Sequence, residues 1–279
     1  MCIMVRYFRF SAMKSWIYRN AMPELFTIIF NTSRLFRKIH MRAKYKRQIN
    51  AYVVSDGSVL KLASVKSRVL MYAEGFDERY VALGKSYMLD KINFERNSLI
   101  IDVGANMGDF FFAVRNFANC DFKYIGFEPN PQDYFCLTKN LSATTSKIDF
   151  QQVALWNSDT ELEFFVDTEF ANSSIIKPKH HSSVIKVNAQ RLDSLIAESV
   201  FLLKVEAEGA EPEVLAGAKN LLPITKYVVV DVGPERGELE EETLEQVSSL
   251  LRDSGFSTLI KNSGHRKTIL FKNNNIQKS

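Results

Sequence analysis

The sequence predicts a doubly wound α/β fold, a mostly parallel sheet with helices on both faces, and three stretches carry that expectation. Leu99, Ile100, Ile101 and Val103 form a short β-branched run, as strands buried on both faces of a parallel sheet do. Gly104 and Gly108 then let the chain turn sharply, and Asp109 opens an apolar helix running to Phe117. A second strand, Phe122–Phe127, ends in Glu128, and Pro129 and Pro131 stop it and restart the chain as a helix. The third stretch is an apolar strand from Phe201, carrying Lys204 and ending in Glu206, Ala207, Glu208, Gly209, Ala210 and Glu211 before a helix with Pro212 near its start.

The remaining elements follow in chain order. The 279 residues suit one large domain with an extension, and 46% apolar with 24% charged residues is enough for a sizeable core. Residues 1–50 hold eleven Lys/Arg against one acid, Glu24, leaving 25 basic and 31 acidic residues for a mildly acidic body. Arg34, Arg37, Lys38, Arg42, Lys44, Lys46 and Arg47 interleave with Leu35, Phe36, Ile39, Met41 and Tyr45, which predicts a basic amphipathic helical arm. A solvated helix packed on the body, one lying on anionic membrane, and one touching nucleic acid all suit it. Membrane contact is the expected partner for residues 1–50 and nucleic acid is not. Basic residues recur through the arm and no apolar run reaches transmembrane length, so neither a signal peptide nor a membrane span is expected.

Residues 51–97 read as a small β/α lead-in: two strands around Asp56-Gly57, then helical periodicity from Ser67 to Ile92, with Tyr87 a core position. Residues 98–279 form the main domain. Asp133–Leu141 is an expected helix and Lys147–Trp156 a third strand. Leu162–Asp167 and Ser182–Gln190 make an extra hairpin or flap carrying His180 and His181, a pair more often solvated than catalytic. Arg191–Leu195 opens a helix, Lys226–Glu238 carries a fifth strand with Val228–Val230 leading to Asp231, Glu238–Ser254 is an acidic amphipathic helix, and strands around Ser263-Gly264 close the chain, with His265 facing solvent. Cys2, Cys120 and Cys136 have no metal or disulfide spacing, which points to a reduced, cytoplasmic setting, peripheral at the membrane face if the arm binds there. No metal is expected, and oligomeric state leaves no mark in the sequence.

The chemistry is expected at the strand ends, where open α/β sheets bind ligands. The turn reads G-x-x-x-G rather than G-x-G-x-x-G, with Asp102 and Asp109 on either side and no base between. Carboxylates there repel phosphate and suit a ligand bearing an amino group and a sulfonium, which points to S-adenosylmethionine. Glu128, at the tip of the second strand, can accept from both ribose hydroxyls. The predicted cofactor site is Asp102, Gly104, Ala105, Asn106, Gly108 and Asp109, with Glu128, Asn130, Ala154 and Leu155, the last two at the adenine edge. Clustered carboxylates raise at least one pKa, as a general base needs. Glu206, Glu208 and Asp231 are the catalytic candidates, His180 or His181 could serve if the flap closes, and Glu211 reads as a helix-start partner.

IIDVGANMGDFF, IGFEPNP, QQVAL, RLDSL and LLKVEAEGAEPEVLAGA resemble, in order and spacing, FkbM-type S-adenosylmethionine-dependent methyltransferases over about residues 85–260. The resemblance implies a Rossmann-like class I methyltransferase fold with a seven-stranded sheet. It also implies methyl transfer to a hydroxyl of a sugar, a glycolipid or polysaccharide precursor, or a secondary metabolite, with a small-molecule or glycan acceptor. One departure is Glu206, which stands where the family usually carries aspartate. Two other classes stay open: a nucleic-acid or protein methyltransferase docking through the arm, and a non-catalytic S-adenosylmethionine-binding module.

Overall fold

The computed structural model describes residues 20–144, 147–169, 172–263 and 267–276. The lead-in comprises α1 (Pro23–Phe36), β1 (Arg42–Lys46), β2 (Ala51–Ser55), β3 (Leu60–Ala63), α2 (Lys66–Met71) and α3 (Phe76–Ser86). β1, β2 and β3 form an antiparallel meander. The expected hairpin is present: Asp56 Oδ1 accepts from the backbone N–H groups of Ser58 and Val59, at 2.9 and 2.8 Å, and Gly57 takes φ +100°. α1 buries Phe26 and Phe30 against Tyr52 and Val54, in a core that also takes in Met107 and Cys136 of the main domain.

The basic arm is not one helix. α1 stops at Phe36, where Lys38 turns left-handed (φ +57°) and Ile39 N–H closes back on the Arg34 carbonyl at 3.0 Å. Arg42, Lys44 and Lys46 then recur every second residue, the strand period, with Ala43 turned inward. The long helical stretch after Ser67 is likewise broken, by Gly75 at φ +138°.

The main domain runs β4 (Leu99–Val103), α4 (Asp109–Phe117), β5 (Lys123–Phe127), α5 (Pro131–Leu141), β6 (Lys147–Gln151), β7 (Ala154–Leu155), β8 (Thr160–Val166), β9 (Ser183–Gln190) and α6 (Leu192–Leu195). It continues with β10 (Val200–Val205), α7 (Glu211–Ala216), β11 (Thr225–Asp231), β12 (Pro234–Arg236), β13 (Glu241–Glu242), α8 (Leu244–Asp253), β14 (Phe256–Ser263) and β15 (Lys267–Asn273). Seven strands lie in the order β14-β15-β11-β10-β4-β5-β6. β11, β10, β4, β5 and β6 are parallel, and β15 runs antiparallel to both its neighbours.

Alternation along the strands splits the core in two. Ile101, Val103, Leu203 and Val228 pack with Leu192, Val214 and Val247 on one face; Ile100, Leu202 and Val229 pack with Phe110, Phe111, Leu137 and Leu83 on the other. The expected third strand breaks after Gln151, because Ala154 and Leu155 leave the main sheet to pair with Ala189 and Gln190 of the small β7-β9-β8 sheet. The expected helix from Glu238 begins only at Leu244. Gly237 and Glu240 hold positive φ values, +71° and +54°, and turn a short β12–β13 hairpin instead. His265 lies outside the described residues. No helix among the described residues is long and apolar enough to cross a membrane.

Candidate active site

The strand order reverses between β4 and β10, and the cavity lies beyond the carboxyl ends of β4, β5 and β10. Its floor is Gly104, Ala105 and Asn106 of the glycine turn, while Gly108, expected at the cofactor, is off the wall and packs toward Leu137 and Leu141. Gly104, Asn106 and Gly108 all take positive φ (+71°, +49° and +89°), and a Cβ on Gly104 would sit 2.1 Å from the Glu206 carbonyl oxygen. Only glycine lets the turn and the end of β10 approach that closely. Phe127 C=O accepts from Gly104 and Ala105 N–H at 3.0 and 2.9 Å, joining the turn to β5.

Glu128, one residue beyond β5, is buried and on the wall. One carboxylate oxygen accepts from Asn106 N–H and the other from Asn130 N–H, both at 2.8 Å. Each oxygen keeps a second lone pair for a ligand. Burial, then the charge of Asp133, pushes the Glu128 pKa up to about 8. Asn130 is placed differently from expectation. Its side chain caps α5, accepting from Gln132 N–H at 3.0 Å, and it is not on the wall.

The two acids flanking the turn do not present open charge. Asp102 is 0% exposed, behind the wall, paired with Lys204 Nζ at 2.9 Å and hydrogen-bonded by the Tyr124 hydroxyl. Lys204, 2% exposed, also reaches Glu206 Oε2 at 3.1 Å and the carbonyls of Val103 and Gly104 at 2.9 Å. Burial alone would lower its pKa, but the charges of Asp102 and Glu206 outweigh that and hold the ammonium above its ordinary value. Asp109 does line the cavity, accepting from the Tyr72 hydroxyl at 2.5 Å and Arg79 Nε at 2.8 Å. The phosphate-averse picture is therefore corrected: both acids are matched by cations that lie far off in sequence.

At the end of β10, Glu206 and Glu208 are on the wall. Tyr87 is core and site at once: fully buried, it donates from its hydroxyl to Glu206 Oε2 at 2.6 Å. Glu208 sits at φ +50° in the turn that Glu211 closes by accepting from Ala207 and Gly209 N–H at 2.9 and 3.1 Å. Asp231 is buried off the wall, accepting from Gly233 N–H at 3.2 Å. Val153, Ala154 and Leu155 give the cavity an apolar edge, and the flap contributes Ser173 and Ile175. The Ser174 hydroxyl ties the flap to the Glu208 carbonyl at 2.8 Å. His180 and His181 are exposed and off the wall.

Two cavity-lining residues and one carboxyl outside the lining escaped the sequence. Arg68 and Arg79 line the cavity from α2 and α3, where helical periodicity carried no signal of a site. Glu235 lies just past β11, where its place beyond a strand end was the one available signal. Burial, then the charges of Glu208, Asp231, Glu206 and Glu211, raises its pKa to about 10.

Sheet order, glycine turn and strand-end carboxylates define a Rossmann-like class I methyltransferase domain. The profile of the methyltransferase FkbM domain matches residues 102–258, and the chain belongs to that family of S-adenosylmethionine-dependent methyltransferases. Methyltransferase sdnD of Sordaria araneosa is 25% identical over 215 residues, covering 63% of this chain and 80% of sdnD. Hexuronic acid methyltransferase AglP of Haloferax volcanii is 27% identical over 140 residues, 50% of this chain and 57% of AglP. The 2-O-methyltransferase NoeI of Sinorhizobium fredii is 24% identical over 192 residues, 61% of this chain and 77% of NoeI. The crystal structure of methyltransferase FkbM from Methylobacillus flagellatus shares the fold, at TM-score 0.50 and 13% identity over 74% of this chain and 54% of that one.

Proposed function

We propose that this chain transfers the methyl group of S-adenosylmethionine to a hydroxyl of a sugar, a glycolipid or polysaccharide precursor, or a secondary metabolite. The cavity suits that donor: Glu128 offers carboxylate lone pairs to ribose hydroxyls, Val153, Ala154 and Leu155 an apolar edge to a purine, and Gly104 an approach free of side chain. When bound, the donor supplies an electrophilic methyl carbon on sulfur. The chain itself must orient a hydroxyl and take its proton, since an alcohol is a weak nucleophile at neutral pH.

The observation that carries this reading is the division of labour among the carboxylates. Glu206 Oε2 already receives Lys204 and Tyr87, and Asp231 is off the wall. Glu208 is on the wall beside Glu235, whose raised pKa keeps it protonated at pH 7 and leaves the negative charge to its neighbour. We assign Glu208 as general base, Glu206 as a support held by Lys204, and Glu235 as a proton-holding neighbour. AglP and NoeI, named for a hexuronic acid and for 2-O-methylation, support a sugar hydroxyl as acceptor.

The test is S-adenosylhomocysteine release over a panel of nucleotide sugars and lipid-linked saccharides, with product mass and methyl position determined. Glu208→Gln should lower kcat by roughly 10²–10⁴-fold while leaving product-cofactor affinity unchanged. Methylation on nitrogen, or full activity in Glu208→Gln, overturns the reading.

One observation also favours contact with an anionic membrane. The outward face of α1 exposes Met22, Leu25, Ile28, Leu35 and Phe36, the last 83% exposed, beside exposed Lys38 and His40. Ile28→Glu with Phe36→Glu should abolish sedimentation with phosphatidylserine vesicles; no sedimentation of the wild type refutes the contact.

A further inference from the structure

We propose that Arg79 is the carboxylate-gripping residue of the cavity and holds the amino-acid end of the methyl donor, an assignment that rests on the donor reading above. Gly75 ends the preceding turn and α3 starts at Phe76, which places Arg79 in the first turn of that helix and on the cavity wall. Its side chain is 13% exposed. Nε donates to Asp109 Oδ2 at 2.8 Å, and Asp109 Oδ1 is held by the Tyr72 hydroxyl, itself fully buried. Asp109 directly follows Gly108, the last residue of the glycine turn. The guanidinium is thus fixed from behind, at the mouth of the turn that receives the donor.

A guanidinium carries five N–H donors in a rigid plane. Asp109 takes one of them, at Nε, and among the described residues no protein acceptor meets the four on Nη1 and Nη2. Donors left over on a nearly buried, pre-oriented fork select a planar two-oxygen acceptor, which is a carboxylate. The surroundings narrow the choice. Asp109, Glu128, Asp133, Glu206 and Glu208 face the cavity together with Arg68, Arg79 and Lys204, so the lining offers both signs of charge. A zwitterion matches both: its carboxylate meets Arg79 while its ammonium is welcome among the acids. The amino-acid end of S-adenosylmethionine is such a zwitterion, and an acidic sugar is not.

Calorimetric titration of the full chain with S-adenosylhomocysteine and with 5′-methylthioadenosine, which lacks the amino-acid carboxylate and ammonium, tests this. Arg79→Gln should weaken S-adenosylhomocysteine binding roughly 10- to 100-fold and leave methylthioadenosine binding within twofold. Arg79→Lys, keeping charge but not the fork, should fall between. Unchanged S-adenosylhomocysteine affinity in Arg79→Gln overturns the assignment, and selective loss of turnover on uronate acceptors in that variant would give the carboxylate to the acceptor instead. Equal weakening of both ligands also overturns it, marking Arg79 as structural support through Asp109. A wild type that binds neither ligand overturns the donor reading together with this one, whereas a wild type that binds methylthioadenosine as tightly as S-adenosylhomocysteine overturns only this one.

Discussion

Replacing Lys204 by methionine isolates the buried charge centre beneath the cavity. The two side chains are similar in volume, so the cavity left behind is small and the change is almost purely electrostatic. Lys204 Nζ lies 2.9 Å from Asp102 Oδ1 and 3.1 Å from Glu206 Oε2, with side chains 2%, 0% and 20% exposed. Removing one partner of a buried pair strands the other, at about 3–5 kcal/mol, a fifth or more of the stability of an ordinary domain, about 5–15 kcal/mol. Burial already raises the Asp102 pKa, and losing Lys204 removes the main force opposing that rise. A carboxyl whose folded pKa lies above its unfolded value binds its proton more tightly when folded. Its stabilising contribution is complete below the unfolded pKa and is lost as pH rises through the folded one. The deficit of Lys204→Met should therefore be larger at pH 8 than at pH 5, where a neutral Asp102 can still share a hydrogen bond with Tyr124. Urea unfolding at both pH values measures it, and adding Asp102→Asn should recover more than half of the loss. A deficit under about 1 kcal/mol, equal deficits at the two pH values, or no recovery in the double variant would refute the reasoning.

Two further expectations concern the turn and its carboxylate. Gly104→Ala adds a Cβ 2.1 Å from the Glu206 carbonyl at a φ of +71°, so the turn must move away from β10. Donor affinity should drop at least tenfold, with roughly 1–2 kcal/mol of strain on the fold, as calorimetry and urea unfolding would show. Glu128, with a pKa pushed up to about 8, is substantially protonated at pH 7 and accepts hydroxyl bonds best when ionised. S-adenosylhomocysteine affinity should strengthen from pH 6.5 to pH 9, and Glu128→Gln should flatten that profile; a wild-type profile already flat counts against ribose contact at Glu128. The same raised pKa makes folding stability fall as pH rises from the model-peptide value towards 8.

Features that depend on neighbours a few residues away are legible in the chain alone. β4 follows from an apolar run, and the glycine turn from positions where a Cβ cannot be tolerated. Glu128 follows from a proline-stopped strand, and the acids of β10 from the strand-to-helix change at Pro212. Local backbone also explains where the expectations failed: the spacing of Arg42, Lys44 and Lys46 was that of a strand, and Glu240, left-handed within the helix expected from Glu238, turns the chain into the β12–β13 hairpin. The charge pairing belongs to the packed fold. Lys204 in an apolar run looks like an anomaly until the parallel register sets it directly beside Asp102. Arg79 and Tyr87 come from the lead-in to meet Asp109 and Glu206, and Glu235 joins the cluster only because β11 lies next to β10. Side-chain period is a local property of the backbone, whereas the partner of a buried charge is set by which strands become neighbours, and that is settled by packing the whole core.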